Sequence, residues 1–569
     1  MTGSQSSFPT RSTGIAAVCC GVGWFTQSVP TEYLDHSVGY AFLGGGVALG
    51  VSSVGRWAST RSGSKATSDR WAKRSRRQGG VASSLDVLRY GSALAMRRQA
   101  TVLRPSIADK SWHRRLFTPV KEYAAPIARV GLMQVFSPVE DVTLSLGGPR
   151  TGKTGAMACR ILDARGAVVV TSTRTDLLFL TGPSRAKVGP LMVFNPSGLG
   201  DIATNVKFSP LSGCRTARGA ADRAADLINA ATNLGGGDSA DRAFWTDQAR
   251  QVLQVLLHAA AVGNLTPRHI LRWISRPDTA KETVTGLLEH APEMREIAAG
   301  FFDTNDRTRS SITTSIRPAL AWLTDPTAAA TTEGGPDEQF DVAEFLRLRG
   351  TLYLLGAEDA VVAPLVAALT AEIARQARRI ASLTPSGRLD PPLTLALDEA
   401  ALICPIPLDR WTADMGGRNI TIHIAAQSRA QLQQRWGVQG AAAILNNSAS
   451  IIIFGGTRDP EDLAAFSTLT GDREETVETR DPEGKVISTS TRLVPVLSPA
   501  RIANLPKNHV VLIRRGLPPS IGRVRMAWKR WGVRRINRTA KLDVGQHTTS
   551  YEADARDHDY DQVPEAAAR

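Results

Sequence analysis

The chain has 569 residues, of which 42% are hydrophobic, and its 68 Lys and Arg residues exceed its 53 Asp and Glu residues by 15. This composition excludes a disordered chain, a collagen-like fibre and a small disulfide-rich scaffold, and the slightly negative mean hydropathy argues against a polytopic transporter. The five cysteines are too few and too scattered for a disulfide framework or a CxxC metal site, and the surplus positive charge favours an acidic partner, either nucleic acid or an anionic membrane surface.

Two uncharged apolar stretches, residues 14–25 and 38–55, lie near the start of the chain. The second has eighteen residues, which is long enough for a membrane-spanning helix. Residues 56–77 then carry eight basic side chains against one acid, and this asymmetry predicts both termini on the cytoplasmic side with a short external hairpin. We therefore predict a membrane anchor of one or two transmembrane helices over residues 1–57 and a basic juxtamembrane region over 58–125. A cleaved signal peptide is a less favoured alternative, and the first stretch is also open to interpretation as an interfacial segment.

An α/β domain is predicted from about Val139 onward, because short apolar runs alternate there with helical stretches. The predicted strands are residues 142–146, 167–171, 191–194, 352–355, 393–397, 420–425 and 451–454. Strands separated by long helical segments indicate a mostly parallel sheet with right-handed crossovers. We assign this domain to residues 126–219 and 324–522.

Residues 220–323 interrupt the alternation and read as an inserted all-α domain. The longest helical pattern, residues 244–262, places six apolar side chains on one face: Phe244, Ala249, Val252, Leu253, Leu256 and Leu257. Further helices are predicted at residues 266–275, 280–289 and 312–323. We interpret the apolar faces as ordinary core packing.

The end of the chain falls into two parts of opposite charge. Residues 523–538 are rich in Arg and Lys interleaved with Trp528 and Trp531, which suits base stacking with phosphate neutralisation. A membrane-proximal or subunit-packing segment explains the same pattern equally well. Residues 539–569 are acidic with few large apolar side chains, so we expect this tail to be disordered.

A phosphate-binding loop is predicted where an apolar strand leads into a helix through the motif G-x-x-x-x-G-K-[ST]. Its residues are Gly147, Gly148, Pro149, Arg150, Thr151, Gly152, Lys153 and Thr154. The glycines let backbone N–H groups close around phosphate oxygens. Lys153 would reach the β- and γ-phosphates, and the Thr154 hydroxyl would bind Mg²⁺. The alternative is a chance glycine-rich loop, which the matching strand and helix on either side disfavour.

A second acidic element follows the apolar strand at residues 393–397. Asp398 is placed to hold the Mg²⁺ shell, and Glu399 to orient and deprotonate an attacking water. A helix cap at Asp398 is the simpler alternative, but it leaves the adjacent Glu399 unexplained.

A third strand, residues 420–426, is followed by Gln427, whose amide is suited to sensing the γ-phosphate. A strand-terminal polar residue without function is an equal alternative. His423 within this strand is interpreted as a core histidine. Arg418 precedes the strand and is a candidate arginine finger acting on a neighbouring subunit of a ring, although an ordinary solvated arginine is at least as good an interpretation.

Together these residues resemble the type IV coupling proteins, the TraG/TraD-like ATPases of conjugation and type IV secretion. The resemblance rests on LGGPRTGKT, the STRTDLL stretch at residues 172–178, LALDEAALI at 395–403 and QSRAQLQQRWG at 427–437. It implies a membrane-anchored RecA-like P-loop ATPase core with an inserted all-α domain, assembled as a homo-hexamer. The resemblance also implies site roles: Lys153 and Thr154 match the Walker A pair, Asp398 and Glu399 Walker B, and Gln427 and Arg418 the sensor and finger positions.

The resemblance further implies ATP and Mg²⁺ as cofactors, with Lys153, Glu399, Arg418 and Gln427 as catalytic residues. Implied partners are relaxase-bound single-stranded DNA and the proteins of a secretion channel. The implied location is the inner (cytoplasmic) membrane, with the ATPase body in the cytoplasm. Two alternatives stay open: a receptor for protein effectors, and a septal FtsK-like translocase of double-stranded DNA. The short predicted external loop and the unusual tail depart from the family pattern and leave the cargo undetermined.

Overall fold

The computed structural model describes residues 80–232, 240–335, 338–357, 361–481 and 486–539. The predicted membrane anchor (1–57) and the acidic tail after Thr539 lie outside the described residues, as does the first part of the basic juxtamembrane region. No helix in the described part of the chain combines the length and apolar character that a membrane crossing requires. The chain divides into two compact units, and apart from residues 504–506 all described residues belong to the larger unit.

The strands of the larger unit form one long sheet and one separate hairpin. In chain order they are β1 (Ala124–Val130), β2 (Met133–Pro138), β3 (Thr143–Leu146), β4 (Val168–Ser172), β5 (Leu191–Phe194), β6 (Thr351–Leu355), β7 (Leu393–Asp398), β8 (Ile420–Ala426), β9 (Ser450–Phe454), β10 (Asp472–Arg480), β11 (Val486–Pro495), β12 (His509–Arg514) and β13 (Leu517–Arg523). The eleven-stranded sheet has the order β2-β1-β13-β12-β9-β3-β8-β7-β4-β6-β5, and β10 pairs with β11 alone.

The seven strands β9-β3-β8-β7-β4-β6-β5 run parallel and correspond to the seven strands predicted from the sequence, so that prediction is confirmed. Every residue of β3, β4, β6, β7, β8 and β9 is buried, which explains their continuous apolar runs. The antiparallel strands β12, β13, β1 and β2 extend the sheet beyond β9 and were not predicted.

Twelve helices of eight residues or more are described. They are α1 (Lys153–Asp163), α2 (Asp176–Arg185), α3 (Ala217–Ala231), α4 (Ala240–Val262), α5 (Pro267–Ser275), α6 (Pro277–Leu287), α7 (Pro292–Asp303), α8 (Asp306–Leu320), α9 (Ala363–Leu383), α10 (Arg429–Asn447), α11 (Pro460–Leu469) and α12 (Trp531–Thr539). The shorter helices are Ser84–Asp86, Ala93–Arg97, Ala100–Leu103, Pro105–Ala108, Trp112–Phe117, Pro326–Ala330, Val342–Arg347, Ala400–Ile403, Leu408–Asp414 and Pro499–Ala503. The helices α1, α2, α9 and α10 each connect strands of the parallel part of the sheet.

The helices α3 to α8 lie between β5 and β6, where the inserted all-α domain was predicted. They pack on one another, and α3 also packs on α9 of the α/β domain. On α4, five of the six predicted face residues are buried, but Phe244 is 54% exposed. The expectation that Phe244 packs in the core is therefore wrong, because it lies in the first turns of α4, before the buried part of the helix begins at Ala249.

Arg223 joins the helical insertion to the α/β domain. This α3 side chain is buried, and its guanidinium donates to Glu372 of α9 at 2.8 Å. The same guanidinium lies 4.8 Å from the centre of the Phe208 ring. A buried charge needs such partners to offset its desolvation, so this contact fixes where α3 meets α9.

The basic segment after β13 packs on the α/β domain of its own chain. Residues 527–529 form a short 3-10 turn, and α12 follows. The Asn537 side chain donates to the carbonyls of Phe179 and Leu180 in α2, at 3.4 and 3.3 Å. Arg530 forms an ion pair with Asp163 at the end of α1.

Candidate nucleotide-binding site

The glycine-rich loop runs from the end of β3 to the start of α1, at the carboxyl edge of the parallel strands. Gly152 precedes α1 with a φ of 104°, a left-handed conformation that favours glycine. A Cβ atom at Gly147 would lie 2.6 Å from the Cβ atom of Phe454, so only glycine fits beside the end of β9. The backbone of the loop therefore requires the glycines that the motif supplies.

Lys153 lies buried within the curve of this loop. Its ammonium group donates to the carbonyl of Gly148 at 2.9 Å and also to the carbonyl of Gly147. Burial lowers the pKa of Lys153, while the nearby carboxylates of Glu399 and Asp398 oppose that shift. The loop therefore holds the positively charged ammonium group of Lys153 where the motif predicts that phosphate binds.

Thr154 and Asp398 lie side by side, although 244 positions separate them in the sequence. The Thr154 hydroxyl donates to Oδ2 of Asp398 at 3.1 Å, which brings the end of β7 against the first turn of α1. The other oxygen of Asp398, Oδ1, is buried without a hydrogen-bond partner among the described residues. Burial, together with the negative charge of Glu399, raises the pKa of Asp398 to about 7.

Thr154 and Asp398 are suited to binding Mg²⁺. A hydroxyl and a carboxylate supply the hard oxygen ligands that the ion prefers. The buried Oδ1 of Asp398 has no hydrogen-bond partner among the described residues, and a bound cation would give it one. Within the described ranges no group of three or more His, Cys, Asp or Glu could hold a metal by itself. Mg²⁺ bound through one carboxylate and the phosphates of a substrate does not need such a group.

Glu399 is held by two amide side chains. Its backbone has a left-handed φ of 51°, and its carboxylate accepts from Nε2 of Gln427 and from Nε2 of Gln431, each at 3.3 Å. Gln431 in turn accepts from the backbone N–H of Gln427 at 2.9 Å. The three residues form one cluster next to Asp398 at the carboxyl ends of β7 and β8.

Sequence reasoning did not select Gln431 as a site residue. The available signal was its position four residues after Gln427, on a helix that Ser428 caps by accepting from the Gln431 backbone N–H at 3.2 Å. Gln427 precedes this N-cap and Gln431 lies in the first turn of the helix, and the bond from the Gln427 N–H to the Gln431 side chain holds both amides beside the same carboxylate.

Arg418 is not part of this cluster within one chain. It ends the short turn Met415–Arg418 before β8, whereas Gln427 follows β8, so the length of that strand, roughly 20 Å, separates the two positions. Its guanidinium lies 3.5 Å from Asp414. His423, in the middle of β8, is buried as predicted, and burial lowers its pKa well below the usual value.

The fold is that of the RecA-like α/β class, and its glycine-rich loop lies where β3 meets α1, with Thr154 and Asp398 side by side. Residues 392–507, about a fifth of the chain, match the family model described as the TraM recognition site of TraD and TraG. No curated protein sequence gives a significant match. Among solved structures the chain is similar to the bacterial conjugative coupling protein TrwBdeltaN70, with a TM-score of 0.54 and 18% identity over 73% of this chain and 92% of that one.

Two further similar structures contain a bound nucleotide or nucleotide analogue. The plasmid coupling protein TrwB in complex with the non-hydrolysable GTP analogue GDPNP matches with a TM-score of 0.55 and 19% identity, over 72% of this chain and 91% of that one. TrwB in complex with ADP and Mg²⁺ matches with a TM-score of 0.52 and 18% identity, over 69% and 87%. The predicted resemblance to the type IV coupling proteins and the predicted RecA-like α/β fold are therefore confirmed.

Proposed function

We propose that this protein is a membrane-anchored P-loop ATPase that recruits relaxase-bound single-stranded DNA and pumps it into a conjugative type IV secretion channel. The observation that carries the proposal is the contact between Thr154 and Asp398 beside Glu399, in a chain with the fold of a conjugative coupling protein. A protein that only docked cargo would have no need of a carboxylate held in place by two amides next to the phosphate loop.

Each side chain of the site would have a separate role in phosphoryl transfer. Lys153 would exchange its loop carbonyls for phosphate oxygens and neutralise charge on the β- and γ-phosphates. Thr154 and Asp398 would hold Mg²⁺, which, when bound, supplies further neutralisation of phosphate charge. Glu399, oriented by Gln427 and its partner amide, would accept the proton of the attacking water.

The cofactors follow from the same site and from the solved relatives. TrwB has been solved with ADP and Mg²⁺, with an ATP analogue and with a GTP analogue. The site of this chain and the ligands of these relatives support ATP with Mg²⁺ as the cofactors of this protein. A ring of subunits, as a homo-hexamer, would let Arg418 act on the site of a neighbouring subunit, since within its own chain it lies at the opposite end of β8.

The partners and location follow from the family resemblance and from charge. The match of residues 392–507 to a TraM recognition site supports an interaction with the DNA-processing complex through this part of the chain. A net charge of +15 suits phosphate contacts, which would make DNA binding fall steeply with salt. An inner-membrane anchor over residues 1–57 would hold the ATPase body in the cytoplasm beside the channel.

The test is ATP hydrolysis by the full chain, with and without single-stranded DNA, at low and high salt. Lys153→Ala and Glu399→Gln should abolish turnover, whereas the exposed control substitutions Lys187→Ala and Glu344→Gln should not. DNA should stimulate the wild-type rate, and high salt should remove that stimulation. Hydrolysis that survives Lys153→Ala would refute the ATPase assignment. Normal basal hydrolysis without a DNA response would instead favour a receptor for protein cargo.

A further inference from the structure

A short segment that follows β13 crosses the helix of the phosphate loop. Met526 lies beside the loop, with its Cε atom 2.9 Å from the position that a Cβ atom of Gly152 would take. Trp528 lies one turn further along α1, where a Cβ atom at Gly155 would overlap its ring carbons Cη2 and Cζ3. The indole therefore rests directly on the backbone of the first turn of α1, and it can do so only because residue 155 is glycine.

The segment is fastened to α1 on both sides of Trp528. Cys159 donates through Sγ to the carbonyl of Arg525 at 3.2 Å. Arg530 forms an ion pair with Asp163 and donates to the carbonyl of Cys159 at 3.3 Å. These contacts fix the backbone around the indole, so the ring is held in place rather than free on a loose terminus.

The exposure of Trp528 does not match that of its neighbours. Met526 is 2% exposed and Ala527 is fully buried, whereas Trp528 is 44% exposed. An aromatic ring fastened on one face and open to solvent on the other offers a flat apolar surface. Stacking on such a surface is how proteins commonly hold a nucleic acid base without reading its identity.

The exposed face of the Trp528 indole lies close to the phosphate loop, and this position indicates which ligand would stack on it. Gly155 directly follows Thr154, whose hydroxyl contacts Asp398 in the proposed Mg²⁺ site. The orphaned Oδ1 of Asp398 indicates independently that a ligand completes this site. The indole therefore lies within one helical turn of the proposed phosphate and Mg²⁺ site, within reach of the base of a nucleotide held by the loop.

We propose that Trp528 is the stacking platform for the base of the nucleotide bound at the phosphate loop, with Met526 supporting the loop from beneath. This inference rests on the proposed nucleotide site. It assigns part of the basic segment 523–538 to nucleotide binding within its own chain, in place of contact with DNA. Because every base has a π-face, stacking alone would discriminate weakly between bases.

The test compares two ligands that share a phosphate arm, ADP and inorganic tripolyphosphate, which has no base. Titration calorimetry on the full chain gives the Kd of each for wild type, Trp528→Ala and Trp528→Phe. Trp528→Ala should weaken ADP binding roughly ten-fold and leave tripolyphosphate binding unchanged. Trp528→Phe should recover most of the loss, because a phenyl ring still stacks. The matched control is Trp531→Ala, a nearby and 72% exposed tryptophan, which should change neither Kd.

Two results would overturn the proposal. Equal ADP affinity in wild type and Trp528→Ala would show that the indole does not contact the base. An equal loss of ADP and tripolyphosphate binding would show that Trp528 only supports α1. If the wild-type chain binds neither ligand, the nucleotide site itself is refuted, and that failure is distinguishable from the other two because it precedes any substitution.

Discussion

Replacing Asp398 by asparagine should make the nucleotide-free protein more stable at alkaline pH while it abolishes ATP hydrolysis. The wild-type carboxyl has one buried oxygen without a hydrogen-bond partner among the described residues, and burial raises its pKa from 3.8 to about 7. A carboxyl whose pKa rises on folding binds its proton more tightly in the folded state. The free energy of unfolding therefore falls as the pH rises from about 4 to about 7.

The size of this effect follows from the pKa difference. A rise of about three units at about 1.4 kcal/mol per unit gives an upper limit of about 4 kcal/mol lost above pH 7. An asparagine stays neutral at every pH and keeps a carbonyl oxygen for the Thr154 hydroxyl. Its amide must still find acceptors, so we expect a gain of roughly 1–3 kcal/mol at about pH 8.

The assay is the melting temperature of the full chain without Mg²⁺ and nucleotide, at several values between about pH 5 and about pH 8. Asp398→Asn should melt above wild type at the alkaline end, and the difference should shrink as the pH falls. The control is Asp163→Asn, which removes the partner of Lys121 and Arg530 and should lower the melting temperature. A difference for Asp398→Asn that is negative or independent of pH would refute the reasoning from burial. Hydrolysis by Asp398→Asn would refute its role at the metal.

Three further substitutions test contacts around the site. Arg435→Ala should lower the free energy of unfolding by roughly 3 kcal/mol, because three carbonyls near the end of α3 lose their hydrogen-bond donor. An unchanged midpoint of denaturant unfolding would contradict this. Gln431→Ala should lower kcat roughly ten-fold with little change in the Kd for ATP, since it orients Glu399, and a loss of affinity alone would argue against that role. Arg223→Ala should lower the free energy of unfolding by roughly 2–3 kcal/mol, because it removes a buried side chain packed on Phe208 and one of the two guanidinium partners of Glu372, and an unchanged denaturation midpoint would contradict this.

The parallel part of the sheet could be predicted from the sequence because of how it is buried. Strands covered on both faces need apolar side chains at nearly every position, and such runs stand out in a chain of mixed composition. Of the antiparallel strands, β12 carries the same apolar run at residues 510–513 and could have been selected, but its neighbours lack that signal. β13 contains two prolines, and β11 is exposed along nearly its whole length, so their pairing depends on tertiary context that no local pattern reports.

The residues of the candidate site also fall into two groups, those that a local motif reveals and those that it does not. Local sequence motifs predict the roles of four site residues from their order along the chain, namely Lys153, Thr154, Asp398 and Glu399. The structure brings these four residues together with Gln427, as the sequence predicts, although their roles in catalysis stay predictions. Trp528 follows Gly155 by 373 positions and meets it only because β13 returns the chain to α1. No spacing rule connects two such distant positions.

The helix α10 joins the site to the helical insertion through short and well-partnered contacts. Gln431 in its first turn holds Glu399, and Arg435 one turn later donates to the carbonyls of residues 229, 230 and 232, at 3.0, 2.7 and 2.9 Å. Both side chains precede Gly437, whose φ of 73° and ψ of 170° break the helix, so they lie on one rigid stretch. A shift of Glu399 between nucleotide states would therefore move the end of α3 as well, because the buried guanidinium would have to lose three hydrogen bonds to stay behind. We therefore expect this helix to couple hydrolysis to the position of the insertion, and Arg435→Ala to leave basal ATP turnover in place while it removes the stimulation by DNA.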